Sequence, residues 1–425
     1  MPYTVGPPVA GSHTGMRLAF ISSSLESGGL EHEVEANVQL ALTHAHEVRL
    51  FTPYKVRDDS RIRRNLEQLL TFDSGQEEWR RSFYGRAVLS LAKAKHLLTA
   101  RRRPSSFEEV SLGRRFMPVA DQPGFWDEQA RRVVAGSDLV HLFGKPKPFM
   151  ARVATSARAA GVKVIYEEAS QVTAEYANRR LHRQFTASSA SCDVIIARCQ
   201  RHIDDIRTHY QYRGATRVIE QWAYGTEDDL LGIDRAGHRA TGQALTFGSI
   251  GRLDDGKGMD TILKAFARAK QHLPDSRLRI AGAGQHATDL RKLAADLRID
   301  GDTEFVGHMD GGRKIAFYAG IDAFVIASLN EGGPITGVEA MAAGLPILST
   351  PVGAMPERLE HGTEALFFEP GSAEALAASM ALLQDASLRH RLGCSARHRY
   401  GLRNHSQVCA PQKTALWNEL GRPIR

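Results

Sequence analysis

The segment EGGPITGVE (331–339), followed by AMAAGLP (340–346), decides the fold of this sequence. It lies between two short apolar runs, DAFVIAS (322–328) and PILST (346–350), which are typical of strands buried on both faces of a parallel sheet. Pro334 suits the first turn of a helix, where the missing N–H of a proline costs nothing. The segment therefore predicts a strand, a glycine-rich turn, a helix and a second strand.

The same segment has the chemistry of an anion site. The N–H groups of Ile335, Thr336 and Gly337 would point at an anion, and the helix dipole would favour its binding. Glu331 precedes the helix and Glu339 lies about one turn into it, so their carboxylates can address different hydroxyl groups of one ligand, with phosphates between them. Alternatively, both glutamates only stabilise the helix N-terminus, which explains their charge but not the glycines and the proline.

Short apolar runs alternate with helix-length stretches along most of the chain. The polar stretch 227–243 has no periodic apolar face and separates two such series. The helices predicted in these series include 31–44, 260–270, 287–297 and 405–420. The further predicted strands are LAFIS (18–22), VRLFT (48–52), DLVHLF (138–143), VKVIY (162–166), DVIIA (193–197), LTFGSI (245–250), RLRIAG (277–282) and TEFVG (303–307).

Two successive β/α series predict an α/β fold of two doubly wound, Rossmann-like domains that face each other across a cleft. Right-handed crossovers place the carboxyl ends of the strands, and with them the ligand loops, on the cleft side. The predicted parts of the chain are a flexible leader (1–15), an N-terminal domain (16–226), a linker (227–243), a C-terminal domain (244–404) and a C-terminal helix (405–425).

The composition bears on where the protein works. Residues 1–15 have neither a basic start nor an apolar core, so they do not read as a secretory signal. No apolar run reaches the roughly 18 residues of a membrane-spanning helix. The four cysteines lack the spacing of a metal site. We therefore expect reduced thiols and a cytoplasmic protein.

Two further turns carry candidate ligand groups. The turn GRLDDGKG (251–258) holds Arg252, a planar fork, and Lys257, a point charge, and this combination suits a diphosphate. The alternative for this turn is a solvated basic loop. Gly28 and Gly29 lie between a predicted strand and helix of the first half and could contact an anion or a sugar. The alternative for the glycine pair is a purely steric role.

These motifs resemble those of the group-1 (family 4) glycosyltransferases of GT-B fold. GRL with KG (251–258), AGAG (281–284), FVGH (305–308) and the segment 331–357 follow one another in the order of that family. The resemblance covers nearly all of 243–400 and is looser over 16–226. It implies a nucleotide-diphospho-sugar donor, with a UDP-sugar favoured, that binds mainly to the C-terminal domain and is used with retention of anomeric configuration.

The resemblance also implies roles for single residues. Arg252 and Lys257, in the turn that starts at Gly251, would hold the diphosphate, and Glu331 would contact the transferred sugar. Together with helix dipoles, the two cations would stabilise the departing diphosphate without a metal or another cofactor. The backbone amides around sugar and phosphate would come from the donor loop, which consists of Gly332, Gly333, Pro334, Ile335 and Thr336.

The nucleoside contacts follow from the same resemblance. Glu339 would bind the ribose hydroxyls, and the backbone near Val306 and His308 would meet the base. Gly28 and Gly29 would close the site from the opposite domain. The C-terminal helix would cross back to pack against the N-terminal domain.

The N-terminal half departs from the family in two places. Family members often have a histidine after the strand that corresponds to VKVIY, where this chain has Glu167 and Glu168. The Asn-Gly-x-Asp turn of the family is replaced by WAYGTE (222–227). Glu167, Glu168 and His141 are the acceptor candidates, for a hydroxyl-type acceptor such as a glycan, a glycolipid or a secondary metabolite. A lone histidine in an apolar run is more often a core residue. These departures leave open a non-catalytic homologue that binds the nucleotide-sugar.

Two other motifs compete with this assignment. GAGQHA (282–287), with Asp300 and Asp302 downstream, imitates the dinucleotide fingerprint of an NAD-dependent dehydrogenase. It lies on the second strand of its domain rather than the first, and it leaves 331–339 unexplained. Asp300-Gly-Asp302 also imitates the metal-binding DxD of the other glycosyltransferase fold. Aspartate and glycine are favoured at such a turn for conformational reasons alone.

The net charge of +7 is concentrated in one stretch of the chain. Segment 79–115 holds ten basic and two acidic residues, so the remainder is nearly neutral. The segment suits an interfacial helix on anionic lipid at the inner face of the membrane, or a mobile loop for an acidic acceptor. A solvated helix that packs on the N-terminal domain explains it as well. It matches no recognised nucleic-acid-binding module and does not indicate a nucleic-acid partner.

Overall fold

Two parallel β-sheets, each covered by helices, form the framework of the protein in a computed structural model. The structure describes residues 15–23, 25, 29–44, 46–53, 65–66, 71–74, 124–168, 179–235, 244–309 and 311–421. Gly28, the leader up to residue 14 and the basic segment 79–115 lie outside the described residues. The predicted α/β fold with two doubly wound sheets is confirmed.

The first sheet has seven strands in the order β3-β2-β1-β4-β5-β6-β7, and every pair is parallel. Its inner strands are buried on both faces, as the apolar runs predicted. The strands are β1 (Arg17–Ser22), β2 (Glu47–Thr52), β3 (Thr71–Ser74), β4 (Leu139–Phe143), β5 (Lys163–Glu167), β6 (Val194–Ala197) and β7 (Ala215–Val218).

The second sheet has six parallel strands in the order β10-β9-β8-β11-β12-β13. The strand order reverses between β8 and β11, because successive strands are added on one side of β8 and then on the other. The crevice outside the carboxyl ends of these two strands is therefore the expected ligand position. The strands are β8 (Thr246–Ile250), β9 (Arg277–Ala281), β10 (Thr303–Gly307), β11 (Ala323–Ile326), β12 (Ile347–Ser349) and β13 (Ala365–Phe367).

Helices connect the strands of both sheets. Those of the first half are Gly29–Thr43, Phe125–Val134, Pro148–Ala159, Arg179–Ser189 and Gln200–Tyr210. Those of the second half are Glu227–Leu231, Met259–Ala269, Ala287–Asp296, Gly311–Ala319, Ile335–Ala342, Met355–Arg358, Ala373–Leu382, Ala386–Arg403 and Ser406–Leu420, with a 3₁₀ turn at Asp300–Asp302. Within the described part of the chain, no helix is long and apolar enough to cross a membrane.

The last helix, Ser406–Leu420, packs on the first sheet rather than the second. Trp417 is fully buried in the same cluster as Phe20 of β1, and their ring centroids are 5.7 Å apart. The indole Nε1 donates to Nδ1 of His141 in β4 at 3.3 Å. The start of this helix is capped from the segment between the two sheets, because Glu227 accepts the N–H of Ser406 at 2.8 Å.

The structure adds elements that the sequence reading did not contain. Strands β3, β7 and β13 were not predicted, and each lies at the edge of its sheet. All three are only three or four residues long, which is too short for a clear periodic pattern. The structure also places a helix, Glu227–Leu231, inside the stretch predicted as a linker.

Candidate functional site

The turn after β8 and the turn after β11 meet at the carboxyl ends of these two strands, where the strand order reverses. Gly258 has a φ of +64°, and a Cβ there would lie 2.0 Å from the carbonyl oxygen of Ala327. The N–H of Leu329 donates to the carbonyl of Gly256 at 2.8 Å. Only a glycine at 258 allows this approach, and it brings Lys257 beside the segment that starts at Glu331.

The turn after β9, at residues 282–284, packs against the turn after β8. A Cβ on Gly282 would lie 1.8 Å from the carbonyl oxygen of Gly251, and one on Gly284 would lie 2.2 Å from that of Leu253. The N–H of Leu253 donates to the carbonyl of Ala283 at 3.0 Å. The glycines that imitate a dinucleotide fingerprint therefore have a packing role, which is to seat the turn 251–258.

Lys257 and Glu331 form an ion pair at the crevice. The hydroxyl of Ser328 donates to the same carboxylate oxygen, Oε1, at 3.2 Å. About one fifth of each charged side chain is exposed, 18% for Lys257 and 19% for Glu331. The structure thus brings two predicted site residues into direct contact. An ammonium has three donors, so Lys257 can keep this contact and still bind phosphate oxygens.

Arg252 lies at the same turn but extends into solvent. Its side chain is 74% exposed and pairs with Asp254 at 3.0 Å. An exposed pair of this kind is worth at most about 1 kcal/mol, so it would not hold the guanidinium away from a stronger anion. Gly251, also predicted for the site, bonds through its N–H to the end of β9 at Ala281 and fixes the base of the turn.

The donor loop 332–336 leads into the helix Ile335–Ala342. Pro334 lies immediately before the first helical residue, one position earlier than predicted. The N–H of Gly337 donates to the carbonyl of Pro334 at 3.0 Å, so the prediction that it would face an anion is wrong for this group. Gly332 is anchored through its carbonyl, which accepts the N–H of Ala354 at 2.9 Å.

Glu339 is buried, with 1% of its surface exposed, and both of its carboxylate oxygens have partners. Lys314 forms an ion pair with Oε1, and the hydroxyl of Tyr318 donates to Oε2 at 2.8 Å. The Tyr318 oxygen also lies 3.2 Å from the carbonyl of Thr336 in the donor loop. Burial and the adjacent carboxylate raise the pKa of Tyr318 well above its usual value, so its proton stays in place.

The N-terminal domain reaches the donor loop at the start of its first helix. A Cβ on Gly29 would meet Cγ2 of Ile335 at 3.4 Å, so these two residues face each other closely. Ile335 also packs against a small cluster that contains Trp222 and Tyr224. On the other side of the loop, Val306 is partly buried and His308 is exposed at the end of β10. Gly29 therefore lies against the donor loop, while Val306 and His308 lie at the carboxyl end of β10 in the same sheet as β8 and β11.

The three acceptor candidates are inaccessible in this structure. His141 and Glu168 are fully buried, and Glu167 is 1% exposed. Glu167 contacts Arg198 and Lys413, both at 2.6 Å, and Nε2 of His141 at 3.1 Å. Burial alone would raise the pKa of Glu167, but Lys413 and Arg198 outweigh it and hold that pKa well below the usual range. In this conformation these side chains hold the core together rather than contact an acceptor.

This buried network extends to the helix that starts at Gly29. Arg198 also pairs with Glu33, and the hydroxyl of Tyr224 donates to Glu33 at 3.0 Å. Lys413 donates to Oδ1 of Asn37 at 3.0 Å. Burial raises the pKa of Glu33. The first helix and the C-terminal helix are thereby fixed to the carboxyl ends of β5 and β6.

A second junction joins the two domains behind the donor loop. Arg358 is fully buried, and it donates to Glu220 at 2.8 Å and to Gln221 at 3.1 Å. The carboxylate of Glu357 accepts two backbone N–H groups, those of Gln200 and Arg201, both at 2.8 Å. Glu357 therefore caps a helix of the opposite domain.

Lys314, Tyr318 and Arg358 were missed in the sequence reading. Lys314 and Tyr318 lie four residues apart and share the buried face of a helix with Phe317. A lysine on an otherwise apolar helix face is the signal that could have drawn attention to this pair. Arg358 gives no such signal, because its partners at 220 and 221 are distant in the sequence.

Known proteins resemble this chain in sequence and in fold. Residues 233–399 match the family model described as Glycosyl transferases group 1. The chain is 26% identical over 237 residues to D-inositol 3-phosphate glycosyltransferase of Corynebacterium aurimucosum, covering 53% of this chain and 56% of that protein. It is 33% identical over 164 residues to the lipopolysaccharide core biosynthesis glycosyltransferase LpsE of Rhizobium meliloti, covering 38% of this chain and 46% of that protein. The chain thus spans about half the length of the curated relatives it matches.

Solved structures match the fold over nearly the whole chain. Anabaena Alr3699/HepE, solved in complex with UDP and glucose, has a TM-score of 0.70 at 17% identity and covers 96% of this chain and 100% of that one. Sucrose-phosphate synthase from Thermosynechococcus elongatus has a TM-score of 0.64 at 18% identity, covering 95% and 99%. At these identities the likeness establishes the fold and not the substrate.

Proposed function

We propose that this chain is a group 1 glycosyltransferase of GT-B fold and that it moves a sugar from a UDP-sugar to a hydroxyl-type acceptor with retention of configuration. The observation that carries this proposal is the contact between Lys257 and Glu331. It lies at the ends of β8 and β11, where the strand order reverses, and the donor loop leads from it into the helix that holds Glu339. A cation and a carboxylate are in contact here, and the helix that follows supplies the amides and the second carboxylate. A nucleotide-diphospho-sugar offers matching groups in the same order: sugar hydroxyls, a diphosphate and ribose hydroxyls.

The diphosphate would occupy the centre of the crevice. Lys257 lies at its edge with part of its side chain exposed, and Arg252 can turn inward because its exposed ion pair with Asp254 is weak. The helix that begins at Ile335 adds its dipole. These positive groups stabilise the charge that develops on the departing diphosphate, which is the main catalytic requirement of this reaction.

The sugar would lie beside Glu331. The carboxylate would accept hydrogen bonds from sugar hydroxyls once Lys257 shares its donors with the phosphates. Ser328, which donates to Glu331, keeps the carboxylate from rotating away. The amides of Gly332 and Gly333 lie in the same loop and would contact the sugar or the phosphate next to it.

Retention follows if both partners react on one face of the sugar. The bond between the anomeric carbon and the β-phosphate oxygen breaks, and the acceptor oxygen forms its bond on the side that the diphosphate leaves. The acceptor proton passes to the departing phosphate oxygen. This step needs no carboxylate nucleophile.

The nucleoside would bind at the second edge of the crevice. Glu339 would accept the ribose hydroxyls, and the chain around Val306 and His308, at the end of β10, would border the base. Several solved structures of similar fold are described as complexes with UDP or UDP-glucose, which supports UDP as the nucleotide to test first. Gly29 would close this crevice from the N-terminal domain.

The cellular setting is part of the proposal. We place the reaction in the cytoplasm, with segment 79–115 at the inner face of the membrane near a lipid-linked acceptor. The segment's charge supports this, since basic clusters bind anionic lipid surfaces. Co-sedimentation of the protein with anionic vesicles at low salt tests it, and recovery of the protein in the supernatant would remove the membrane contact.

A donor screen tests the proposed reaction. The protein is incubated with UDP-, GDP- and ADP-glucose, and release of the nucleoside diphosphate is followed with and without hydroxyl acceptors. We expect release from UDP-glucose above the buffer control, and an NMR spectrum of any product that keeps the anomeric configuration of the donor. No release from any donor, together with no binding of UDP, GDP or ADP, would contradict the proposal.

The burial of the acceptor candidates favours one alternative function. A protein whose His141, Glu167 and Glu168 are committed to internal contacts could bind the nucleotide-sugar without transferring it. Binding of UDP-glucose with no turnover in the presence of a broad acceptor set would select this alternative. An absorbance change of a nicotinamide cofactor would instead favour the dehydrogenase.

A further inference from the structure

Lys314 is a buried cation that the proposed reaction does not yet use. It lies in the helix Gly311–Ala319, which follows β10, and only a small part of its surface is exposed. Its ammonium forms an ion pair with Glu339, which is itself buried. A buried lysine is rare in proteins unless it is paired, and here its partner is the carboxylate proposed for the ribose.

We propose that Lys314 is a positioning residue for the donor, which makes Glu339 able to accept the ribose hydroxyls next to a diphosphate. This inference rests on the proposed function and adds a residue to the same site. It has two parts, one concerning the geometry of the carboxylate and one concerning its charge.

The geometry follows from the number of hydrogen bonds that a carboxylate can accept. An ionised carboxylate offers about four acceptor positions on its two oxygens. Lys314 takes one on Oε1, and Tyr318 takes one on Oε2 at 2.8 Å. One position then remains on each oxygen, which matches the two neighbouring hydroxyls of a ribose. Because Lys314 and Tyr318 come from the same helix, the carboxylate is held at both ends by one rigid element.

The charge argument concerns the diphosphate. The helix that holds Glu339 begins only four residues earlier, at Ile335, where the phosphates are proposed to bind. A buried carboxylate without a counter-ion would repel the diphosphate across a region of low dielectric constant. Lys314 cancels that charge at contact distance. The Lys314–Glu339 pair then has no net charge, so Glu339 can accept hydrogen bonds from hydroxyl groups without weakening phosphate binding.

The test compares UDP with 2′-deoxy-UDP by isothermal titration calorimetry in the full chain. Wild type should bind UDP at least about tenfold more tightly, because the missing hydroxyl leaves an acceptor position of Glu339 unfilled. In Lys314→Met the affinity for UDP should fall at least about tenfold and the ratio between the two nucleotides should approach one. Lys292→Met, which removes an exposed lysine of the neighbouring helix Ala287–Asp296, should keep both wild-type values.

A second variant and a third nucleotide separate binding from folding. Lys314→Gln keeps a donor of similar size without the charge, so it serves if Lys314→Met does not fold. It should retain part of the discrimination between UDP and 2′-deoxy-UDP while losing affinity for UDP. Affinity for uridine, which has no phosphate, should fall less than affinity for UDP in both variants, because uridine is not repelled by Glu339.

The possible outcomes are distinct. A folded Lys314→Met or Lys314→Gln that binds UDP within twofold of wild type and still discriminates against 2′-deoxy-UDP overturns the inference, even if the variant is less stable. A wild type that binds UDP without discrimination removes the ribose role of Glu339 and the inference with it. A wild type that binds none of UDP, GDP and ADP contradicts the proposed function itself.

Discussion

Two lysine–glutamate pairs, Lys257 with Glu331 and Lys314 with Glu339, define the crevice of the second sheet. The first pair is partly exposed and can exchange its partners for a ligand. The second is buried and keeps its partners. In the proposed function, the first pair serves the reacting end of the donor and the second serves the nucleoside end.

Replacement of Glu331 tests the reacting end. Glu331→Gln keeps the shape of the side chain and can still accept the hydrogen bond of Ser328, but it loses the charge that pairs with Lys257. We expect turnover of UDP-glucose to fall roughly 100-fold, while binding of UDP stays within a few-fold because the phosphates keep their cation. Glu369→Gln, at an exposed turn of the same domain, is the control. Unchanged turnover in Glu331→Gln would remove this residue from the reacting centre.

His202 makes stability depend on pH. Burial, and then Arg358 and Arg198, lower the pKa of His202 to about 4, whereas an unfolded chain has a value near 6.5. Between these values the unfolded state binds the extra proton, so stability falls as the pH drops from about 6.5 towards 4. We expect a loss of about 2 kcal/mol in free energy of unfolding between pH 7 and pH 5 from this group.

The variant His202→Leu isolates that contribution. Its free energy of unfolding, measured with urea at pH 7, 6 and 5, should fall less steeply than that of wild type. His209→Leu, an exposed histidine of the same helix, should keep the wild-type slope. Parallel pH profiles of wild type and His202→Leu would show that this histidine is not held neutral by its surroundings.

Single residues could be predicted from the sequence only where the motif lies in one stretch of chain. Lys257, Glu331 and Glu339 could be predicted because glycines and a helix start surround them. The structure brings Lys257 and Glu331 into contact and places Glu339 in the helix that follows; their roles toward a ligand stay predictions. Glu167 was selected by its position after a strand. Its contacts with Lys413, 246 residues away, and with Arg198 could not be read from local sequence, and they are what bury it.

At the scale of elements, the site depends on how closely one turn approaches the neighbouring strand. Gly258→Ala should destabilise the protein and weaken UDP binding, because the new Cβ would lie 2.0 Å from the carbonyl oxygen of Ala327. Gly256→Ala is the matched control: it has a φ of +85° in the same turn, but a Cβ there meets nothing within 4 Å.

The comparison separates steric clash from backbone conformation. Gly256→Ala carries only the cost of a left-handed alanine, about 1–2 kcal/mol. Gly258→Ala should lose a further amount of about 1–3 kcal/mol from the clash. Urea unfolding measures both, and calorimetry with UDP follows the site. Equal losses in the two variants would mean that the turn does not depend on contact with the end of β11.

Among the elements, buried strands could be predicted and edge strands could not. Runs such as VIIA in β6 are apolar at every position because helices cover both faces of a parallel sheet. β7, with the sequence ATRV, has two exposed positions and lies at an edge, so its pattern does not differ from that of a loop. The helix Glu227–Leu231 could not be predicted from its local sequence because tertiary contacts stabilise it. Glu227 accepts hydrogen bonds from the N–H of Ser406 and the hydroxyl of Tyr400.

At the scale of the whole molecule, two junctions fix one domain to the other. The C-terminal helix inserts Lys413 and Trp417 into the first domain, and Glu357 and Arg358 bind it from behind the donor loop. Gly29 faces Ile335 across the crevice. The loop proposed to bind the donor and the contacts that join the two domains therefore involve neighbouring residues.

Glu357 tests the second junction. Glu357→Ala removes the acceptor for two helix N–H groups and should cost about 0.5–2 kcal/mol in free energy of unfolding. Glu357→Gln keeps one acceptor and should lose less. Glu360→Ala, three residues along and exposed, should stay close to wild type. If Glu357→Ala is as stable as Glu360→Ala, the junction contributes nothing to the fold.

The most direct test of the central claim, that the crevice of the second sheet binds the diphosphate of the donor, is calorimetry of UDP against Lys257→Met. Lys264→Met removes an exposed lysine from the adjoining helix and is the control. We predict that wild type and Lys264→Met bind UDP equally, and that Lys257→Met binds it at least about tenfold more weakly, which corresponds to about 1.4 kcal/mol. Equal affinity of all three proteins for UDP, or no binding by any of them, would contradict the claim.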